Sequence, residues 1–193
     1  MLIDRILYPV TTLGPGKRLV IWTQGCSKRC INCASRGLWD FDKRKEMKVE
    51  DCISSIKKYL SSEEIDGITI SGGDPVEQPQ ELLKLVKGLK QISDDIIVYT
   101  GYEFSELTEL FDNNYIKELK NNVAVLITGR YVDEKNDNKS VLIGSTNQEI
   151  HYFNNKYKEK YMQYLSEGRK IQNVYCGNGM ISVGIHNKDG GSI

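Results

Sequence analysis

Leu19-Val20-Ile21-Trp22-Thr23-Gln24-Gly25-Cys26-Ser27-Lys28-Arg29-Cys30-Ile31-Asn32-Cys33 decides how this chain reads. Leu19 to Trp22 is a short unbroken apolar run that reads as a buried strand, and it delivers the chain directly into a loop of three cysteines. Cys26, Cys30 and Cys33 follow at intervals of four and three residues, so their thiolates can curl around one face of an iron-sulfur cubane. Three ligands leave one iron of a 4Fe-4S cluster open, which makes it a reaction centre as well as an electron carrier. Zinc is the alternative, but it ordinarily asks for a fourth ligand or a second cysteine pair. His151 and His186 are distant, and Cys52 falls in a segment of helical spacing, so each would have to return in three dimensions. A disulfide framework fits less well, because Cys52 and Cys176 stand far from the crowded three. Lys28 and Arg29 either offset the charge of a thiolate-bound cluster, face an electron donor, or are solvated loop charges.

Outward from this loop, apolar strands alternate with helical patterns. Leu2 to Val10 reads as an opening strand before the turn at Gly14-Pro15-Gly16. The charged run Asp40 to Glu50 reads as solvated, and Val49 to Leu60 has helical spacing at Val49, Ile53, Ile56 and Leu60. Ile68 to Ile70 is a β-branched strand ending in the loop Ser71-Gly72-Gly73-Asp74-Pro75. Pro79 opens a helix with Leu82, Leu83, Val86 and Leu89 on its apolar face, and Ile96 to Tyr99 follows as a strand. Ser105 to Phe111 predicts a helix and Val123 to Ile127 a strand. Asp133 to Ser140 is polar and reads as exposed, while Asn147 to Leu165 predicts a tyrosine-rich helix. Ile171 to Tyr175 and Met180 to Ile185 form an expected strand pair around Gly177-Asn178-Gly179, and Asp189 to Ile193 reads as frayed. The expected class is α/β, a mainly parallel sheet covered by helices. Ligand chemistry then belongs at the carboxyl ends of the strands, where the cysteine loop, Gly72-Gly73, Thr100-Gly101-Tyr102 and Gly129-Arg130-Tyr131 all fall.

The 193 residues fit one domain, 1–193, with 147–193 as its C-terminal extension, and 39% hydrophobic content suffices for a core. Basic and acidic residues balance at 26 each, so no global charge argues for nucleic acid. No apolar stretch reaches membrane-spanning length and the start lacks the apolar core of a signal peptide, so the expected location is cytoplasmic.

The spacing CxxxCxxC together with Ser71-Gly72-Gly73-Asp74-Pro75 resembles the radical S-adenosylmethionine superfamily. Gly14-Pro15-Gly16-Lys17-Arg18, Trp22-Thr23-Gln24-Gly25-Cys26, Tyr99-Thr100-Gly101-Tyr102, Gly129-Arg130-Tyr131 and Gly144-Ser145-Thr146-Asn147-Gln148 are similar to the activating proteins of anaerobic ribonucleoside-triphosphate reductase. The resemblance runs in order over about Leu13 to Ile150. It implies an incomplete β/α barrel with one 4Fe-4S cluster on Cys26, Cys30 and Cys33 near its open top. S-Adenosylmethionine would bind the open iron, with Ser71, Gly72, Gly73 and Asp74 near its amino group and Thr100 and Gly101 on the adenosine side. Arg130, Tyr131, Asn147 and Gln148 would form the substrate mouth.

The implied reaction is reductive cleavage to methionine and a 5′-deoxyadenosyl radical, which installs a glycyl radical on an anaerobic ribonucleotide reductase-like partner. An external one-electron donor such as flavodoxin or ferredoxin supplies the electron. The alternatives are direct radical modification of a peptide or small metabolite, an iron-sulfur electron-transfer module, and a zinc-binding interaction module. One departure concerns a family segment resembling DVLVDG: here it is Ala124-Val125-Leu126-Ile127-Thr128-Gly129, without either acid. Tyr152, Tyr157, Tyr161 and Tyr164 offer a recognition face or ordinary packing, and His151, His186, Cys52 and Cys176 read as non-catalytic.

Overall fold

Six strands form one sheet in sequence order: β1 (Ile3–Val10), β2 (Arg18–Thr23), β3 (Gly67–Gly72), β4 (Ile96–Tyr99), β5 (Val125–Thr128) and β6 (Glu149–Tyr152). The computed structural model describes residues 1–177 and 179–188, without the Cys176 side chain. The expectations for that thiol, for Asn178 and for 189–193 lie outside the described residues. Strands β2 to β5 are parallel, and β1 and β6 add to the two edges antiparallel. Leu19 to Ile21, Ile96 to Val98 and Val125 to Ile127 are buried throughout, as strands covered on both faces require.

Helices α1 (Val49–Tyr59), α2 (Pro79–Leu89), α3 (Phe104–Leu110) and α4 (Asn113–Asn122) supply the cover on one face. There Ile21, Ile70, Val98 and Leu126 share a core with Cys52, Ile56, Leu82, Leu85, Leu107 and Leu119. Glu50 and Asp51 in the first turn of α1 and Lys57 and Lys58 in its last complement the helix dipole. The alternation of side chains along β4 sends Ile97 to the other face, where Val125 and Ile127 meet Val141, Leu142, Tyr161 and Tyr164. That second cover comes from α5 (Lys158–Leu165) and the loop before β6, and the hairpin β7 (Ile171–Cys176) and β8 (Gly179–Gly184) adds Val183 against Val10, Leu13 and Val20. A buried polar group fixes α5: Arg18 donates to Thr69 Oγ1 at 2.8 Å and the Ile68 carbonyl at 2.7 Å and pairs with Asp95, which also accepts from the Tyr161 hydroxyl. No helix among the described residues is long and apolar enough to cross a membrane.

The expected helix over Asn147 to Leu165 is corrected. Glu149–Tyr152 is strand β6, paired with β5, and the helix begins only at Lys158. The reason is the free edge of β5: Ile150 and Tyr152 pack on the second core while His151 faces the other way, a period of two that the tyrosine spacing further on obscures. Tyr161 and Tyr164 are buried, so they pack the core and present no recognition face. Helix α4 had no counterpart in the sequence reading. On α2, Leu85 is fully buried where Leu83 is only half-buried.

Candidate functional site

Four parallel strands end side by side, and backbone hydrogen bonds stitch their carboxyl ends together. Gly25 and Cys26 donate to the Leu38 and Trp39 carbonyls at 2.8 and 2.9 Å, which folds the cysteine loop back on itself. Gly73 donates to Thr23 at 2.8 Å and Asp74 to Gly25 at 2.9 Å, so the loop after β3 lies directly on the cysteine loop. Only glycine permits that approach. A Cβ on Gly73 would stand 2.3 Å from the Gly25 oxygen, and Gly72 has φ +120° with a Cβ position 2.3 Å from the Thr23 backbone. Thr100 and Gly129 donate to Ile127 and Tyr102 at 2.8 and 2.9 Å, joining the last two strand ends.

Between these ends lies a cleft of about 120 Å³ that brings Cys26, Cys30 and Cys33 together with Gly73, Asp74, Thr100, Gly101, Tyr131 and Gln148. Ser71 and Gly72 stand back from it as the last residues of β3, and Arg130 and Asn147 lie outside its lining. The Asn147 amide donates to the Arg130 carbonyl at 2.8 Å, and Gln148 ties Gly129 to Gly144 with bonds of 2.8 and 2.7 Å. Two wall residues were not anticipated as such, Lys28 as a buried side chain and Tyr99, while Gly129 lines the cleft at the strand end where the sequence had placed it.

Asp74 is the hub of this site. Only 1% exposed, it accepts from Thr100 Oγ1 and the Gly101 N–H at 2.9 Å each and from the Val76 N–H at 3.0 Å. Burial pushes its carboxyl above the ordinary range, against the pull of Lys28 and these donors. The Lys28 side chain, 4% exposed, lies 3.6 Å from Asp74 and 3.0 Å from Glu77, over the Tyr102 ring. Burial opposes its charge, but Asp74, Tyr102 and Glu77 outweigh burial and raise its pKa. Lys28 is thus a structural cation of the cleft rather than a solvated charge; Arg29 is exposed beside Asp40. Burial also raises the Cys26 and Cys30 thiols, with backbone N–H groups of Lys28 and Tyr131 acting in the opposite sense.

A family model described as a 4Fe-4S single cluster domain matches residues 12–151. The anaerobic ribonucleoside-triphosphate reductase-activating protein of Enterobacteria phage T4 is 33% identical over 153 residues, 76% of this chain and 91% of that protein. This chain belongs to the radical S-adenosylmethionine activases. The protein of the same name in Escherichia coli (strain K12) is 31% identical over 157 residues, 75% of this chain and 95% of that one. The pyruvate formate-lyase-activating enzyme of Staphylococcus epidermidis is 29% identical over 152 residues, 77% of this chain and 60% of that enzyme.

The donor set of this activase fits an iron-sulfur cluster: three free thiols, one buried and two half-buried, face one cleft. Among the described residues no three His, Cys, Asp or Glu side chains converge closely enough for a single ion. A cubane asks for a wider spread, one thiolate per iron. Among the described residues the Tyr99 and Tyr115 hydroxyls and the Asn147 side-chain oxygen are buried without a hydrogen-bond partner, and of these three residues only Tyr99 lines the cleft. Thr128, at one of the absent acidic positions, is 2.9 Å from His151 Nε2, so His151 is locally bonded.

Proposed function

We propose that this activase holds one 4Fe-4S cluster on Cys26, Cys30 and Cys33, cleaves S-adenosylmethionine reductively and installs a glycyl radical on an anaerobic ribonucleotide reductase-like enzyme. The observation that carries the reading is the meeting of the three thiols with Gly73, Asp74, Thr100 and Gly101 in one cleft at the strand ends. A reduced cluster with an open iron supplies the electron that breaks a carbon-sulfur bond of the cofactor, giving methionine and a 5′-deoxyadenosyl radical.

The chain's own residues bind and orient. The backbone of Gly72 and Gly73, kept bare of side chains by its contact with β2 and Gly25, offers polar peptide groups to the cofactor's amino-acid end. Asp74 is committed to Thr100, Gly101 and Val76, so it sets the shape of that surface, and Ser71 supports it from the strand end. Thr100 and Gly101 serve the adenosine side. Tyr131 and Gln148 in the cleft, with Arg130 and Asn147 outside it, form the mouth through which the partner's glycine segment reaches the radical.

In this reading the sheet is the incomplete β/α barrel of the superfamily, 1–193 is one domain with 147–193 its extension, and the protein works in the cytoplasm. A flavodoxin or ferredoxin supplies the electron. The test is anaerobic reconstitution with reductant and S-adenosylmethionine, assayed for 5′-deoxyadenosine, then for a glycyl radical by electron paramagnetic resonance after adding an anaerobic ribonucleotide reductase. A cluster that does not cleave the cofactor sinks the radical reading; cleavage without a glycyl radical leaves direct modification of another substrate.

A further inference from the structure

Arg169, between α5 and β7, carries a guanidinium whose side chain is only 6% exposed. Burying so large a cation is costly unless its donors are answered. Nε donates to the Ser140 carbonyl at 2.8 Å, one terminal nitrogen to Asn136 Oδ1 at 2.9 Å and the His186 carbonyl at 3.0 Å, and the other to the Ile143 carbonyl at 3.3 Å. Among the described residues the one carboxylate paired with it, Asp137, is 3.5 Å away. One fork therefore clamps the loop 136–143 to the segment that follows β8, a task for a planar set of donors that lysine lacks.

The clamp continues toward the cysteines. Asn136 donates to the Tyr131 hydroxyl at 3.2 Å, and that hydroxyl donates to Asp133 Oδ1 at 2.7 Å. The other oxygen of Asp133 accepts from the Asn32 amide at 3.0 Å. Asn32 lies between Cys30 and Cys33 at φ +56°, a left-handed conformation sparsely populated outside glycine, and the Arg36 guanidinium donates to its side-chain oxygen Oδ1 at 2.8 Å. Tyr131 itself lines the cleft, and its backbone N–H favours the Cys30 thiolate.

We infer that Arg169 is a positioning residue for the cysteine loop, acting through Asn136, Tyr131 and Asp133 on Asn32, so that the C-terminal extension sets how Cys30 and Cys33 are presented. This rests on the reading of those cysteines as cluster ligands. The test uses the full-length chain without cluster, under reductant, and follows alkylation of each thiol by mass spectrometry. Cys52, fully buried on the core face of α1, is the internal control.

Arg169→Met is expected to raise the alkylation rates of Cys30 and Cys33 several-fold and leave Cys52 unchanged, with Arg169→Lys in between. Asn32→Ala, which cuts the same path, is expected to raise both rates and to leave Arg169→Met no further effect. Unchanged rates at Cys30 and Cys33, a parallel rise at Cys52, or additive effects in the double variant overturn the inference and reduce Arg169 to a fold anchor. Should Arg169→Met not fold, Tyr131→Phe removes the hydroxyl link alone and is read against the same outcomes. The ligand reading fails separately, if Cys30→Ala or Cys33→Ala retains a normal reconstituted cluster.

Discussion

Gly73→Ala is the sharpest perturbation of the junction between fold and site. The new methyl carbon would lie 2.3 Å from the Gly25 oxygen, 2.7 Å from its carbon and 2.8 Å from the Leu38 oxygen. All three are backbone atoms, so no side chain can swing aside; the Gly25 carbonyl must retreat by about 1 Å in an interior packed to native density. That retreat breaks the bond from the Asp74 N–H to Gly25, now 2.9 Å, worth about 1 kcal/mol net. Overpacking adds about 1–3 kcal/mol. The sum, about 2–4 kcal/mol, corresponds in a chain of this length to a fall in Tm on the order of 5–15 °C. Because Gly25 precedes Cys26, the reconstituted 4Fe-4S absorbance should fall as well. Gly101→Ala is the comparison: its Cβ meets side-chain atoms alone, Lys28 at 3.1 Å and Asp74 at 3.4 Å, which need give by only a few tenths of an ångström, so the cost should be about 1 kcal/mol, below that of Gly73→Ala. Thermal unfolding of the cluster-free proteins measures both, and a Gly73→Ala chain within about 2 °C of wild type refutes the reasoning.

Lys28→Met leaves Asp74 buried without its cation, and denaturant unfolding should show a loss on the order of 3 kcal/mol. The Asp74 carboxyl, already raised, rises further in that variant; the folded state then holds a proton that the unfolded state releases near the ordinary value of 3.8. Its stability should therefore fall as pH increases above that value, more steeply than in wild type, and a parallel profile contradicts the pairing. Burial pushes the Cys52 thiol to about 11, so at pH 8 on the order of one molecule in a thousand carries the thiolate. Alkylation of Cys52 should be slow and climb about tenfold per pH unit, and labelling as fast as Cys30 at pH 8 would count against its burial. For His151, burial and Lys120 outweigh Glu149 and depress the pKa below 6.5. The unfolded state takes up that proton first, so stability should drop as pH falls below 6.5, and His151→Gln should flatten the drop in Tm; an unchanged slope excludes His151 as its source.

The parallel strands and the cysteine loop were legible because their signals are local. Leu19 to Ile21 and Ile96 to Val98 are continuous apolar runs, which only a sheet covered on both faces accommodates. The Gly72-Gly73 pair was legible as a place of close backbone approach, although the structure adds a reason internal to the fold: the backbone that excludes a side chain is Thr23 of β2 at Gly72 and Gly25 of the cysteine loop at Gly73. Strand β6 was not legible. Glu149 to Tyr152 has a period of two over only four residues, too short to outweigh the helical spacing of the tyrosines beyond it, and its identity depends on β5 offering an edge.

Lys28 and the polar stretch after β5 share a further property: each owes its place to partners far along the chain. Lys28 reads as one of two loop cations, yet Arg29 is solvated while Lys28 is buried, because Asp74 and Glu77 arrive from the end of β3, nearly fifty residues on. The stretch Asp133 to Ser140 reads as an exposed loop, and by composition it is one. Its Asp133 nevertheless bonds Asn32, about a hundred residues upstream, and its Asn136 bonds Arg169 downstream. Polarity in a sequence signals solvent until a second polar segment is brought against it, and here the sheet does so at the strand ends. The charges nearest the cysteines were therefore the least legible part of the chain, although the cysteines themselves were the most.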